Sequence, residues 1–458
     1  MSSKLRNIIN LPISEFNEHA KSPRPEVTLQ EARLIPIYQL GHEMALTSVF
    51  LSSLRLVKEF RKLISSSVNL ISSGKIYVYT EAEFRKHEEK TVDGLILVVK
   101  GGKIKDAALL EMKNNDTELK EQQLTNYLKI AEAYRIPKLI TISNQFVSHP
   151  TQWPVNVKTP KKVELYHLSW SYILTMARIL LFKNGTNIED EDQIEIMKEI
   201  VNYFEDKRSG VQGFTLMKRG WDEISKKINT RAPIRNDDND LTEAVESWLQ
   251  EEKDMALKLS RELGLLVGSG EAKYKDDLRG RIDSGKNSII KNKSIESVLK
   301  VEGAASPIYV KANFGLRNIE MRVNLQAPQD GRTLKGQIGW LRSQINNCRS
   351  KNKKLFGKIE NEIRIEINVK YFENTKNPKI RIEGLDDIIN QLKGKEIKEF
   401  GIIQIKDMAQ NFSNRKKFIA EIETMLSNYY GVIVQYLKKW EKPAPKMNNR
   451  AVESQETE

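Results

Sequence analysis

Two apolar runs separated by Gly101-Gly102 constrain the fold of this chain more than any other stretch. Leu95-Ile96-Leu97-Val98-Val99 precedes the glycine pair, and Ala107-Ala108-Leu109-Leu110 follows it. Adjacent glycines take the positive φ angles of a tight turn, so the two runs are expected to pair as an antiparallel hairpin. Neither run alternates polar with apolar residues, so both faces of their sheet must be covered. Residues 28–66 provide one cover, with Leu46, Val49, Phe50, Leu54, Val57, Phe60 and Ile64 at a near-helical period. Residues 75–84 read as a strand and 117–134 as an amphipathic helix. Residues 138–146 and 163–173 read as further strands, the second turning into a helix. The order helix, three strands, helix, strand predicts an α/β core over residues 28–182, with a mixed sheet between helices.

The far end of the hairpin carries the chemistry. Glu111 and Lys113 lie two apart in a strand and leave the same face. Asp93 must reach them from the neighbouring strand, and hairpin register decides whether it does. A strict two-residue turn places Asp93 opposite Leu110 and aims it away from Glu111. A three-residue loop or a G1-type bulge makes position 100 face 104 and brings Asp93 opposite Glu111. The second register is the expected one, since it makes the carboxylates cross-strand neighbours able to share a cation. Hard carboxylate oxygens suit Mg²⁺ or Mn²⁺, and the Met112 carbonyl is a third candidate ligand. Lys113 would position a water or offset charge on a phosphate. Gln123 and Tyr127, four residues apart on one helix face, would orient the lysine, the water or the phosphate. Glu-x-Lys alone is common on surface strands, and Asp93 alone could cap a turn; their order along the chain is what carries meaning.

Asp93, Glu111-Met112-Lys113 and Gln123-Leu124-Thr125-Asn126-Tyr127 together resemble the PD-(D/E)XK nuclease superfamily, in its RecB-like branch with a Gln-x-x-x-Tyr extension. Val92 stands where the motif's name has proline. The resemblance implies a restriction-endonuclease-like αβββαβ core and Mg²⁺-dependent cleavage of DNA. It further implies a carboxylate on the preceding helix, for which Glu43 is the candidate, and a setting in bacterial anti-phage or genome defence. The alternatives are a catalytically silent nucleic-acid-binding protein that keeps the fold, and a DNA repair or recombination nuclease.

The remaining features bound the setting. A formal net charge of +13 over 458 residues favours a polyanionic partner such as DNA. Cys348 is the only cysteine, which excludes an intramolecular disulfide and a cysteine-based zinc site and fits a reducing cytoplasm. No apolar run approaches the ~20 residues of a membrane span. Residues 1–27 are expected to be extended, and 183–240 helical with the best domain boundary in the polar linker 230–240. Residues 241–304 read as a helical connector, 305–441 as an α+β domain for DNA or partner binding or self-association, and 442–458 as a disordered tail. Within that domain Arg342, Arg349, Lys351, Lys353 and Lys354 could track a phosphate backbone. Trp340 among them reads as core. Lys75, Arg85, Lys86, Lys103 and Lys105 form a second candidate surface beside the catalytic sheet.

Overall fold

The computed structural model describes residues 5–442 apart from 6, 24, 37, 88–90, 116, 148, 183–187, 275–276, 330, 371–378 and 394. The expected disordered tail lies outside these residues, except for Lys442. The chain forms two compact units, one of Met1–Lys291 with Ser413–Ala420, the other of Asn292–Phe412 with Glu421–Glu458.

The first unit is built on a six-stranded mixed sheet whose spatial order follows the sequence: β1 (Val27–Glu31), β2 (Lys75–Phe84), β3 (Thr91–Lys100), β4 (Lys103–Met112), β5 (Lys138–Ser143) and β6 (Glu164–Ser169). The first four strands pair antiparallel, and β4-β5 and β5-β6 pair parallel. The expected double cover is present. On one face α2 (Glu43–Leu56), α3 (Lys58–Ser67) and α5 (Trp170–Phe182) bury Leu46, Phe50, Phe60 and Trp170 against Ile96, Val98, Ala108 and Leu110. On the other, α4 (Glu121–Tyr134) buries Leu124, Tyr127 and Leu128 against Leu95, Leu97, Ala107 and Leu109. A side chain at Gly94 would meet Leu51 at 3.1 Å and Leu110 at 3.2 Å, so this glycine lets α2 lie close over β3.

The hairpin reaches the expected register by a different device. Gly101 and Gly102 have φ of 60° and 72°, and Lys100 pairs with Lys103 rather than with residue 104, so the turn itself is a strict two-residue one. Val99 then pairs with Ile104 but Val98 with Asp106, which leaves Lys105 as an extra residue in β4. From there the register is the one that continues to Asp93 opposite Glu111. Buried polar contacts hold the bulge. Asp106, 3% exposed, accepts from Lys138 Nζ at 2.9 and 3.1 Å and from the Ile71 N–H at 3.0 Å. A buried carboxylate needs such partners, and they fix where the bulge falls. The first residues of β4 pair with the N-terminal segment instead of with β5: Asn10 N–H donates to Ile104 O at 2.7 Å, and Ile104 N–H to Leu11 O at 2.9 Å.

Two expectations need correction. Residues 1–27 are not simply extended, because Ile13–Lys21 form α1, which buries Phe16 in the α4-side core. The polar segment 230–240 does not separate domains: it links α6 (Glu191–Glu205) and α7 (Arg219–Asn229) to α8 (Asn239–Leu263) within the first unit. Its charges are used locally, with Asp238 accepting from Lys227 Nζ at 2.6 Å and capping α8 through the Asp240 N–H.

The second unit contains an antiparallel sheet. Its strands β7 (Ser294–Lys300), β8 (Ile308–Asn313), β9 (Asn318–Gln326), β10 (Ile363–Val369), β11 (Lys379–Ile380) and β12 (Ile397–Asp407) lie in the order β11-β10-β12-β9-β8-β7. Burial alternates along β9 and β10, so one face is packed and the other is polar. The polar face holds the ion pairs Arg322–Glu366 at 3.0 Å and Lys379–Glu320 at 2.6 Å. The packed face meets a helix at Leu334–Lys351 and, through Tyr429, a hydroxyl that donates to Ile402 O at 2.6 Å. Among the described residues no helix is long and apolar enough to cross a membrane.

Candidate metal and phosphate site

The β3-β4 ladder ends at Gly94 and Leu110, and beyond that level side chains join the two strands. The Met112 N–H donates to Asp93 Oδ2 at 2.7 Å, so Asp93 does what a strand backbone would otherwise do. This draws its carboxyl against β4, where its charge acts on the Glu111 carboxyl. Glu111 is fully buried, at 0% exposure. Met112 points its side chain into the opposite core and leaves its carbonyl free to accept from Lys113 Nζ at 3.0 Å.

Lys113 gathers the set. Its Nζ lies 2.5 Å from Glu111 Oε1, 3.0 Å from Glu43 Oε1 and 3.9 Å from Asp93 Oδ2. Its backbone is pinned from two sides: the N–H donates to Ile142 O of β5 at 2.8 Å, and the carbonyl accepts from Trp170 Nε1 at 2.8 Å. Glu43 arrives from the first turn of α2, which His42 caps by accepting from the Met44 N–H at 3.3 Å. Asn114 Nδ2 donates to Gly41 O at 2.9 Å and ties the end of β4 to that cap. His42 thus caps the helix, and Glu43 is both a first-turn carboxylate and a partner of Lys113.

The helical pair also converges here. Gln123 Nε2 donates to the Tyr127 hydroxyl at 3.1 Å, and that hydroxyl donates to Thr91 O at 2.9 Å. Tyr127 is 2% exposed, and burial followed by the Glu111 and Asp93 charges raises its pKa. Asp93, Glu111, Lys113, Gln123, Tyr127 and Glu43 are thus brought together at one end of the sheet.

The electrostatics suit a cation. Burial first, then the Asp93 charge, pushes the Glu111 carboxyl up to about 9. Burial also raises Asp93, against the opposing pull of Lys113 and the Met112 N–H. Burial works to lower Lys113, but Glu111 and Asp93 outweigh it and the pKa ends above the ordinary lysine value. Although Lys113 comes close to Glu111, neither Glu111 oxygen receives a hydrogen bond of sound geometry. Two buried carboxyls whose charges act on each other need a proton or a cation between them. Among the described residues no three Asp, Glu, His or Cys side chains form a ready metal cage. Two carboxylates and a backbone carbonyl nevertheless fit Mg²⁺ or Mn²⁺, because Mg²⁺ keeps several waters and commonly uses only one or two carboxylates plus substrate oxygens.

The candidate phosphate-tracking residues divide into two kinds. Arg342 pairs with Asp386 at 2.6 Å, and Arg349 pairs with Glu360 and lies 5.2 Å from the centre of the Phe356 ring. Lys351, Lys353 and Lys354 are exposed. Trp340 is half-buried and meets Phe400 at 6.4 Å between ring centres, in keeping with a core role. Near the six-stranded sheet Lys75, Arg85, Lys86, Lys103 and Lys105 are all exposed, although Lys86 pairs with Glu26 and Lys105 donates to Asn10 at 3.1 Å.

One acidic residue of the site escapes sequence reasoning. Glu81, in β2, is raised in pKa by burial and then by the Asp93 and Glu43 charges. A glutamate inside a strand carries no motif, so nothing in the sequence could have singled it out. No family model, no curated protein and no solved structure matches this chain.

Proposed function

We propose that this protein is a Mg²⁺- or Mn²⁺-dependent deoxyribonuclease of the PD-(D/E)XK type, with a restriction-endonuclease-like core. The observation that carries the reading is the convergence on one ammonium, Lys113 Nζ, of Glu111 at 2.5 Å, Glu43 at 3.0 Å and Asp93 at 3.9 Å. Asp93, Glu111 and the Met112 carbonyl would hold the cation, which supplies an activated water and offsets phosphate charge. Lys113, released from Met112 O, would hold the attacking water or a non-bridging phosphate oxygen. Gln123 and Tyr127 keep the Glu111 side of the site in place, and Glu43 keeps Lys113 charged and directed. The net charge of +13 supports DNA as substrate. Defence against foreign DNA is the setting we propose for it.

The test uses the full chain with linear, circular and single-stranded DNA, in Mg²⁺, Mn²⁺ or EDTA, beside a Lys113→Ala variant. Metal-dependent cutting that the variant loses is the expected result. Absence of cutting on every substrate defeats the reading, and cutting retained by the variant defeats the assignment of Lys113.

A further inference from the structure

Two neighbouring strands change face at the same level, and the site lies there. In β2, Ile76 and Val78 point to one core, Tyr79 to the other, and Ala82 and Phe84 also to the other. Tyr79 and Ala82 are three apart, so the alternation slips between them. The slip coincides with Glu81, whose φ is +49°. Against β1 it shows as a bulge, since Gln30 pairs with Thr80 but Thr28 with Glu83. In β3, Val92 and Leu95 likewise both enter the α4-side core, so that strand slips at Asp93 and Gly94. Thr80 pairs with Gly94 and Ala82 with Val92, which sets Glu81 directly across from Asp93.

A left-handed backbone suits glycine, asparagine or aspartate far better than glutamate. Strained residues and bulges of this kind cluster where a side chain is re-aimed into a site. Among the described residues the Glu81 carboxylate makes no hydrogen bond or ion pair, and it is half-buried with Asp93 and Glu43 near enough to repel it. A separate observation points to a cation site: in fully buried Glu111 neither oxygen receives a hydrogen bond of sound geometry, and Oε1 has only the ion pair with Lys113 Nζ at 2.5 Å among the described residues.

We propose that Glu81 is a further acidic residue of this site, binding the water shell of the divalent cation held by Asp93 and Glu111. This role rests on the proposed metal site. Direct coordination of the cation by Glu81 is not required for this role. Carboxylates that hold metal-bound water typically change metal affinity by about 10- to 100-fold when lost.

The experiment measures Mn²⁺ binding to the full-length protein without DNA, by titration calorimetry, together with melting temperature. Wild type is compared with Glu81→Gln, Glu81→Gly and Glu111→Gln. Both Glu81 variants should bind Mn²⁺ about tenfold or more weakly. Glu81→Gly should melt at or above wild type, because glycine accepts the positive φ without strain. That combination separates a functional residue from a structural one. If both Glu81 variants bind Mn²⁺ as wild type does while Glu111→Gln loses it, the role of Glu81 is overturned and the metal site stands. If Glu111→Gln also binds as wild type does, the metal site itself is overturned.

Discussion

Replacing Lys113 by methionine should abolish DNA cutting and yet tighten divalent-cation binding. The Nζ occupies the space a cation needs, 3.0 Å from Met112 O and 2.5 Å from Glu111 Oε1. An ammonium about 4 Å from a dication is repelled by ~2 kcal/mol in water and by ~8 kcal/mol at an effective dielectric of about 20. Taking only the lower figure, removal of the ammonium should tighten Mn²⁺ binding by about 10- to 30-fold. Methionine keeps the apolar stem and its packing. Without the cation the variant should be less stable, because Asp93, Glu111 and Glu43 lose their shared partner. Breaking a buried ion pair costs ~3–5 kcal/mol. Saturating Mn²⁺ should restore the melting temperature by mass action. The assay is Mn²⁺ titration calorimetry and thermal unfolding with and without metal, on protein whose circular dichroism matches wild type. Equal or weaker Mn²⁺ binding by a folded Lys113→Met protein would refute the reasoning, since Lys113 would then not be competing with a cation.

Other outcomes are expected from the same geometry. Glu111 titrates near 9 in the fold against 4.5 as a free side chain, so between those values the native state holds a proton that the unfolded chain lacks. Stability of the metal-free protein should therefore fall as pH rises through that window, and Mn²⁺ affinity should rise by up to about tenfold per pH unit toward 9 as the cation displaces the proton. Calorimetry in buffers of different ionisation enthalpy should register that proton, and a pH-independent affinity would contradict it. Deleting Lys105 closes the bulge into a strict two-residue hairpin that still sets Asp93 opposite Glu111, so sheet content by circular dichroism and metal binding should both survive; loss of metal binding in a folded protein would contradict this register. Trp170→Phe leaves the Lys113 carbonyl buried without its 2.8 Å donor and should cost ~1–3 kcal/mol in denaturant unfolding.

Much of the core was legible because it is periodic. The glycine pair, the flanking apolar runs and the spacing of Gln123 and Tyr127 each report a local geometry, and each is found. The convergence of Asp93, Glu111 and Lys113 was legible as an order of residue types and as the register that joins them, though not the bulge in β4 that produces it. The turn residues alone specify a two-residue loop, which by itself would have separated Asp93 from Glu111. The helix at Ile13–Lys21 was missed because its stretch is polar and sits among prolines, and it is held by docking Phe16 rather than by its own propensity. The linker at 230–240 has the composition of a boundary, but its charges pair with α7 and cap α8.

The sequence by itself determined the strand–turn–strand–helix unit and which residue types stand at its ends, because those depend on side-chain period and glycine's backbone freedom. Tertiary structure decided where the extra residue in β4 falls. Asp106 is held by Lys138, 32 residues away, and by the Ile71 N–H, and these buried contacts place the bulge at Lys105. It also decided the backbone of Glu81, since a left-handed glutamate persists only where surrounding structure imposes it. Register and strain are properties of several strands packed together, and no local stretch of sequence contains them.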